Sequence, residues 1–493
     1  MTPRPTTTPV TTQAGFPVTV RTTAPAHPAL LPRLAQAVSD AGAVVGMDLV
    51  EVMPAEATVD LTVEVADGSG VEQVRRLLES AGCRVQRVSD PTFLSHLGGK
   101  IEVTARVPVR TRQALSLAYT PGVGRVAAAI AERPDDAWRL TAKGSTVAIV
   151  TDGSAVLGLG RLGPLAALPV MEGKALIFKE FAGVNAYPLC LDVASPEAFV
   201  DAVCAVAPGF GGINLEDVAA PSCFGIEDEL QRRLPIPVFH DDQHGTAVVA
   251  MAGLLNACRL TGRKVGELRV VVVGCGAAGS AICEAVLDAG VDDLVAFDRH
   301  GVLGQDPSQP HHTRIAARSN RRRVTTLGQA LRGADVCIGT SRRGSIDPTL
   351  LDRMAPRPIV MALANPVPEI LDHELPAGAV LATGRSDHPN QVNNSLCFPG
   401  LFRGALDVRA TSVTRAMRAA ATRAIAECVT PEECALGVII PSMFQQAVHD
   451  RVARAVAEAW TAEHPVKTSP GVPGRGEPTG AAAPGIGPPG RPT

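Results

Sequence analysis

The sequence predicts an α/β protein in three folded parts: a small βαββαβ module, an α/β unit, and a doubly wound unit with a parallel sheet. Three observations predict it. Residues 16–95 switch between strand-like and helix-like apolar periodicities in the order βαββαβ. Between about 100 and 260, strands and helices alternate, and two strands end in paired carboxylates. A run of valines then enters a Gly-x-Gly-x-x-Gly turn at 274–279.

The totals agree with a large soluble chain. At about 150 residues per domain, 493 residues hold two or three domains, and 46% hydrophobic against 19% charged residues can bury a sizeable core. A formal net charge of −3 gives no electrostatic pull toward nucleic acid or an anionic membrane. The 11 cysteines form no Cys-x-x-Cys pair and lie in apolar settings, which suits reduced core thiols and a cytoplasmic location. The Thr/Pro-rich stretch 1–15 reads as a flexible arm without the apolar segment of a secretory signal. Residues 465–493, rich in Pro and Gly, read as a disordered tail. No continuous apolar run approaches the ~18 residues of a membrane span.

In the first module, "FPVTVRTTA" alternates as a strand and "HPALLPRLAQAVSDAGA" has helical spacing up to Gly42. "VVGMDLVEV" and "ATVDLTVEVA" are two strands joined by a turn at Pro54. "SGVEQVRRLLESAGC" places Val71, Val74, Leu77, Leu78 and Ala81 on one helix face, and "RVQRVSD" closes as a strand. This is the ferredoxin-like order. The module resembles an ACT domain, a small regulatory unit that often senses amino acids.

The second unit, 98–262, reads as strands at 145–152, 175–181, 211–217 and 236–242. Ligands of open α/β sheets bind at the carboxyl ends of strands. Glu216-Asp217 and Asp241-Asp242 stand at two such ends. Adjacent carboxylates raise each other's pKa and need a compensating cation or a solvated exit. Their plainer use is a helix start, with Gly245 and Thr246 near the cap. Glu216, Asp217 and Asp242 are hard oxygen ligands, suited to Mg²⁺ or Mn²⁺ rather than zinc. Lys174, at the head of the 175–181 strand, is a candidate cation and base, because a partly buried lysine can have a depressed pKa.

"LRVVVVGCGAAGSAICEAVLDAGVDDLVAFDRHG" carries the most specific physical signal. A strand leads to Gly274, Gly276 and Gly279, then to a helix opening with Ala277 and Ala278, then to a strand ending at Asp298. The glycines admit a pyrophosphate to the helix N-terminus, and the acid meets the ribose hydroxyls. Residues 263–445 are therefore a Rossmann dinucleotide-binding domain, followed by a C-terminal helix at 446–464. Asp298 favours NAD, whereas Arg299 and the basic run 318–323 could meet the 2′-phosphate of NADP; cofactor choice stays open. A second Gly-x-Gly-x-x-Gly at 158–163 is followed by Pro164 and reads as a structural turn.

The segments "LSLAYTPGVG" (115–124), "TDGSAVLGLGRLG" (151–163), "VMEGKALIFKEFAGV" (170–184), "INLEDV" (213–218), "FHDDQHGTA" (239–247), "VVGCGAAG" (272–279), "LANPVPEI" (363–370) and "NQVNNSLCFPG" (390–400) resemble, in order, the malic enzymes of the short bacterial type. The resemblance covers about 98–445. It implies oxidative decarboxylation of malate to pyruvate and CO₂, with Lys174 as general base, Asp241 orienting it, and Tyr119 as the acid that protonates C3. It implies Glu216, Asp217 and Asp242 as ligands of Mg²⁺ or Mn²⁺, and Asn365 and Asn394 as substrate amides, Asn365 also reaching the cofactor. Gly274, Gly276, Ala277, Ala278, Gly279 and Asp298 would hold NAD or NADP. Relatives are usually homodimers or larger, and the ACT-like module implies a small effector. Ala155 stands where larger relatives carry a malate-gripping arginine, Asp152 stands where bacterial relatives more often have Asn, and His240 and His244 read as supporting rather than ligating. Two other outcomes stay open: a malolactic-type or other 2-hydroxy acid enzyme, and an inactive ligand sensor.

Overall fold

The computed structural model describes residues 15–65 and 68–465; the predicted arm and tail lie almost wholly outside the described residues. β1 (Phe16–Pro25), α1 (Leu30–Val38), β2 (Ala43–Val52), β3 (Glu56–Val65), α2 (Gly68–Ser80) and β4 (Arg84–Ser89) form an antiparallel sheet in the order β2-β3-β1-β4. This is the ferredoxin-like arrangement. Period-two alternation buries Ala57, Val59, Leu61, Val63 and Val65 of β3 under Leu30, Leu34 and Val38 of α1 and Val74 and Leu78 of α2. On the opposite face Arg21 makes a bidentate pair with Asp60 across the strands, at 2.7 and 2.6 Å.

α3 (Pro91–His96) leads out of this module. Lys100 then ties the chain to the next unit, its N–H donating to Glu172 Oε2 (3.0 Å) and its ammonium to the Pro169 carbonyl (2.8 Å). α4 (Arg112–Ala118) and α5 (Gly122–Glu132) contain no buried residue. By length and composition alone Arg112–Glu132 could cross a membrane, a feature that a search for uninterrupted apolar runs does not detect. In the fold it is two short helices, broken over residues 119–121.

After α6 (Ala137–Leu140) comes a parallel sheet of β5 (Thr146–Thr151), β6 (Asn185–Cys190), β7 (Gly212–Leu215) and β8 (Val238–His240), ordered β6-β5-β7-β8. Its crossovers are α7 (Pro164–Ala182), α8 (Pro196–Val206) and α9 (Ser222–Arg233). The predicted strand at 175–181 is wrong: those residues are the last two turns of α7. A short apolar run such as "ALIF" does not distinguish strand from buried helix. Here the longer stripe Ala167, Met171, Lys174, Ala175 and Phe178, at helical spacing, is what gets buried. The strand lies instead at β6, an edge strand whose interior Pro188 disguises it.

α10 (Asp241–Thr261) is apolar nearly all round and joins the two α/β units, since one core runs from β5 and α7 through it to the next sheet. That sheet is β11-β10-β9-β12-β13-β14, parallel except for β11. Its strands are β9 (Arg269–Val273), β10 (Asp293–Asp298), β11 (Gly301–Val302), β12 (Val336–Gly339), β13 (Ile359–Ala362) and β14 (Val380–Thr383). α11 (Ala277–Asp288), α12 (Pro310–Ala316) and α13 (Leu327–Leu331) cover it. α14 (Phe398–Asp407), α15 (Arg415–Ala426), α16 (Pro431–Ala435) and α17 (Gln446–Glu463) complete the core. Phe224 of α9 stacks on His311 of α12, with ring centroids 4.1 Å apart, across the seam between the two units.

Candidate active site

β7 and β8 are neighbouring parallel strands, so the acids that follow them emerge side by side. Glu216 and Asp217 leave β7, while Asp241 and Asp242 form the first turn of α10 with His240 at its N-cap. The two aspartates do begin a helix, with neither Gly245 nor Thr246 as its cap. Asp241 is fully buried, whereas the Asp242 side chain remains 31% exposed. The adjacent pair thus splits its charges between a buried partner and an open exit.

Lys174 of α7 supplies the buried partner. Its ammonium lies 2.6 Å from Asp241 Oδ2 and 2.9 Å from Glu216 Oε1, with Asn394 Oδ1 at 3.4 Å and the Phe398 ring centroid at 4.3 Å. Gly245 makes room for this, since a Cβ there would sit 1.8 Å from Asp241 Oδ1. Burial pulls the lysine pKa down, but the charges of Asp241, Glu216 and Asp242 outweigh it and hold the pKa above the ordinary value. The depressed lysine pKa read from the sequence is therefore corrected: full burial came with two carboxylates in contact.

Asp217 has a left-handed backbone (φ 55), which Asp tolerates better than most residues. Its N–H donates to Asp242 Oδ2 (2.7 Å), and its Oδ1 accepts from the Leu157 N–H (3.3 Å). Its Oδ2 is buried without a partner, as is Asp241 Oδ1. Burial and the neighbouring Asp242 charge push the Asp217 carboxyl up to about 7; burial pushes Asp241 up to about 6 against the pull of Lys174. Buried, unpartnered carboxylate oxygens in an all-oxygen cluster suit a hard divalent cation. Among the described residues no three His, Cys, Asp or Glu side chains close into a ready-made cage. Glu216 in particular is turned away, with Oε1 on Lys174 and Oε2 accepting from Asn214 (3.0 Å).

Tyr119 is not brought to this cluster by any described contact. It caps α4, is 67% exposed, and its hydroxyl has no hydrogen-bond partner among the described residues. Asn394 belongs to the lysine cluster, whereas Asn365 follows β13 and packs its carbonyl against Gly158. The loop at 158–163, read as a structural turn, therefore reaches Asn365, and its neighbour Leu157 contacts Asp217.

At the Gly-rich turn, Gly274 takes a left-handed φ of 106, α11 starts at Ala277, and a Cβ on Gly279 would lie 1.8 Å from the Gly274 carbonyl. Asp298 ends β10, where its Oδ1 accepts from the His300 N–H (2.7 Å). Three arginines of the basic run are held away from this end. Arg318, Arg321 and Arg322 pair with Asp288, Asp292 and Asp293 at 3.3, 3.0 and 2.8 Å. Asp293 begins β10, so Arg322 is held roughly 17 Å away at 3.3 Å per residue.

The profile of the malic enzyme N-terminal domain matches residues 98–197, and that of the malic enzyme NAD-binding domain matches 243–461. The NAD-dependent malic enzyme of Geobacillus stearothermophilus is 50% identical over 433 residues, covering 86% of this chain and 90% of the relative. The chain belongs to the malic enzyme family. The bifunctional malic/malolactic enzyme of Bacillus subtilis is 48% identical over 367 residues, 73% of this chain and 90% of that protein. The crystal structure of the NAD-dependent malic enzyme of Thermotoga maritima superposes with a TM-score of 0.71 at 47% identity, covering 75% of this chain and 99% of that one. Oxidative decarboxylation of malate is the family reaction, and members use NAD or NADP. The chain is thus an enzyme rather than a bare ligand sensor.

Sequence reasoning missed Glu227 and Gln243, which brace the start of α10 from behind. One signal was available: Glu227 shares the buried stripe of α9 with Cys223, Ile226 and Leu230.

Proposed function

We propose that this malic enzyme oxidises malate with NAD, using Lys174, Asp241 and Tyr119 as its proton-handling groups and Glu216, Asp217 and Asp242 as ligands of Mg²⁺ or Mn²⁺. The observation that carries it is the buried Lys174–Asp241–Glu216 cluster beside the unpartnered Asp217 oxygen. When bound, the cation would polarise the substrate oxygens and offset the negative charge that keeps Lys174 protonated, and the nicotinamide would take the hydride from C2. Lys174 then removes the C2 hydroxyl proton, with Asp241 fixing its amine. Asn394, beside the amine, and Asn365 orient the substrate by amide hydrogen bonds. After CO₂ leaves, the Tyr119 hydroxyl returns a proton to C3.

Exposed Tyr119 can do this only if another surface covers it. α4 and α5 show Leu115, Leu117, Tyr119, Val123 and Val126 to solvent, which favours a homodimer in which this arm is covered by the partner chain. Asp298 at the end of β10, with Arg318, Arg321 and Arg322 paired away from that end, favours NAD over NADP. The ferredoxin-like module fits an ACT-type regulatory unit with a small effector, in a cytoplasmic enzyme. The malolactic reaction in the name of the Bacillus subtilis relative would use the same malate-binding groups without releasing NADH.

Initial rates with malate test the reading. NADH and pyruvate should form together with Mn²⁺ or Mg²⁺ and stop in chelator. Faster turnover with NADP, metal-independent turnover, or lactate without free NADH would each contradict it. Removing residues 1–95 should abolish metabolite effects on rate if that module regulates.

A further inference from the structure

Behind the carboxylate cluster lies a second hydrogen-bond system that none of the roles above uses. At its centre is Glu227 of α9, 4% exposed. Its Oε1 accepts from the His240 backbone N–H (2.9 Å) and from Gln231 Nε2 (3.2 Å). Its Oε2 accepts from Gln243 Nε2 (2.9 Å) and lies 3.0 Å from His244 Nε2. One buried carboxylate thus gathers three successive attachments from the first turn of α10. A buried carboxylate without such donors would be strongly unfavourable.

The geometry also determines how the proton sits on His240. Gln243 Nε2 lies 2.8 Å from His240 Nδ1 as well as facing Glu227 Oε2. An amide nitrogen only donates, and turning the amide over would set its oxygen against the Glu227 carboxylate. Nδ1 is therefore the acceptor and the ring proton rests on Nε2, which faces Asp242 Oδ2 at 3.1 Å. The same Asp242 oxygen receives the Asp217 N–H at 2.7 Å. With Oδ2 engaged twice, Oδ1 is the Asp242 oxygen left for another ligand.

We propose that Glu227 is a positioning residue: through Gln243 and the His240 tautomer it sets the orientation of Asp242 toward a divalent cation. The inference rests on the metal reading of the preceding subsection. Residues that orient metal ligands typically contribute a factor of about 10–100 in metal affinity. Glu227→Gln keeps the volume but sets an amide nitrogen against the Gln243 amide. Gln243 then turns its oxygen to His240, the proton moves to Nδ1, and a bare Nε2 faces Asp242.

The test is Mn²⁺ binding to the metal-stripped full-length enzyme, without malate or NAD, read as free Mn²⁺ by electron paramagnetic resonance. E227Q should bind Mn²⁺ at least about tenfold more weakly than the unmodified enzyme, while its NAD affinity and its thermal midpoint without metal stay close to it. The KM for Mn²⁺ should rise in proportion, and kcat at saturating Mn²⁺ should change far less. A residue that merely joined α9 to α10 would lower the thermal midpoint and leave Mn²⁺ affinity unmoved. If E227Q does not fold, Gln243→Leu, which cuts the same relay, should weaken Mn²⁺ binding several-fold. Mn²⁺ affinity within twofold of the unmodified enzyme in the folded variant overturns the inference. Failure of the unmodified enzyme to bind Mn²⁺ is a different result; it removes the metal site itself and this inference with it.

Discussion

Lys174 and Asp241 meet at 2.6 Å from two different helices, α7 and α10, with 8% and 0% of their side chains exposed. Such a pair is held by its surroundings rather than by solvent-screened attraction. Leaving one partner unpaired in the interior typically costs about 3–5 kcal/mol. In the proposed reaction the same contact would hold the amine where a substrate hydroxyl has to give up its proton.

Lys174→Ala should therefore lower hydride transfer by at least about a hundredfold, the usual lower range for a lost acid or base. NAD binding, measured by titration calorimetry, should stay within about twofold, since no residue at the Gly-rich turn touches Lys174. Retained malate oxidation would remove Lys174 from its role.

Tyr119→Phe should depress pyruvate formation by a comparable factor. Because Tyr119 is 67% exposed in the single chain, mixing Tyr119→Phe with Lys174→Ala chains is more informative. If the arm serves the partner's site, random mixed dimers regain about a quarter of normal activity, one complete site in half of the dimers. No recovery after verified subunit exchange would mean that each chain supplies its own tyrosine.

The raised Asp217 pKa, about 7, sets a pH dependence. In the folded, metal-free protein this carboxyl keeps a proton that the unfolded chain releases near its ordinary value of ~3.9. Between those values the folded state binds more protons, so metal-free stability should fall as pH rises through about 7. A cation must displace the same proton, so Mn²⁺ affinity should rise across that range and level off above it. Calorimetric melting and Mn²⁺ titration at pH 5.5, 6.5, 7.5 and 8.5 check both directions; a flat Mn²⁺ affinity would contradict the second.

Asp298 and Arg322 stand at opposite ends of β10. Asp298→Ser should raise the KM for NAD by roughly tenfold, about 1.4 kcal/mol, and narrow the preference over NADP. Arg322→Ala should leave the NAD/NADP ratio unchanged, because its guanidinium is occupied by Asp293 at 2.8 Å. A collapse of NADP use in Arg322→Ala would place the basic run at the cofactor after all.

Much of the architecture was legible because local and global signals agreed. The alternation in 16–95 yields the antiparallel sheet, and the valines before Gly274 yield β9. The acid pairs were legible as strand ends because each follows a short β-type run. What failed was the environment of Lys174: periodicity could not separate an apolar strand from the buried side of α7, so neither its helix nor its second carboxylate, Glu216, was visible, although its pairing with Asp241 was expected. Glu227 was hidden for a related reason. Its place in the stripe Cys223, Ile226, Leu230 put it on the buried side of α9, but its partners at the start of α10 follow only from the three-dimensional approach of the two helices.

The proposed reaction depends most on a cation at Glu216, Asp217 and Asp242 beside Lys174. Anomalous diffraction from crystals grown with Mn²⁺ and malate measures this directly. The predicted result is one strong Mn²⁺ peak bonded to an oxygen of each of the three side chains, at about 2.0–2.3 Å, with Glu216 turned away from Lys174. A peak elsewhere, or three carboxylates left as they stand with Lys174 still bridging Glu216 and Asp241, would contradict it.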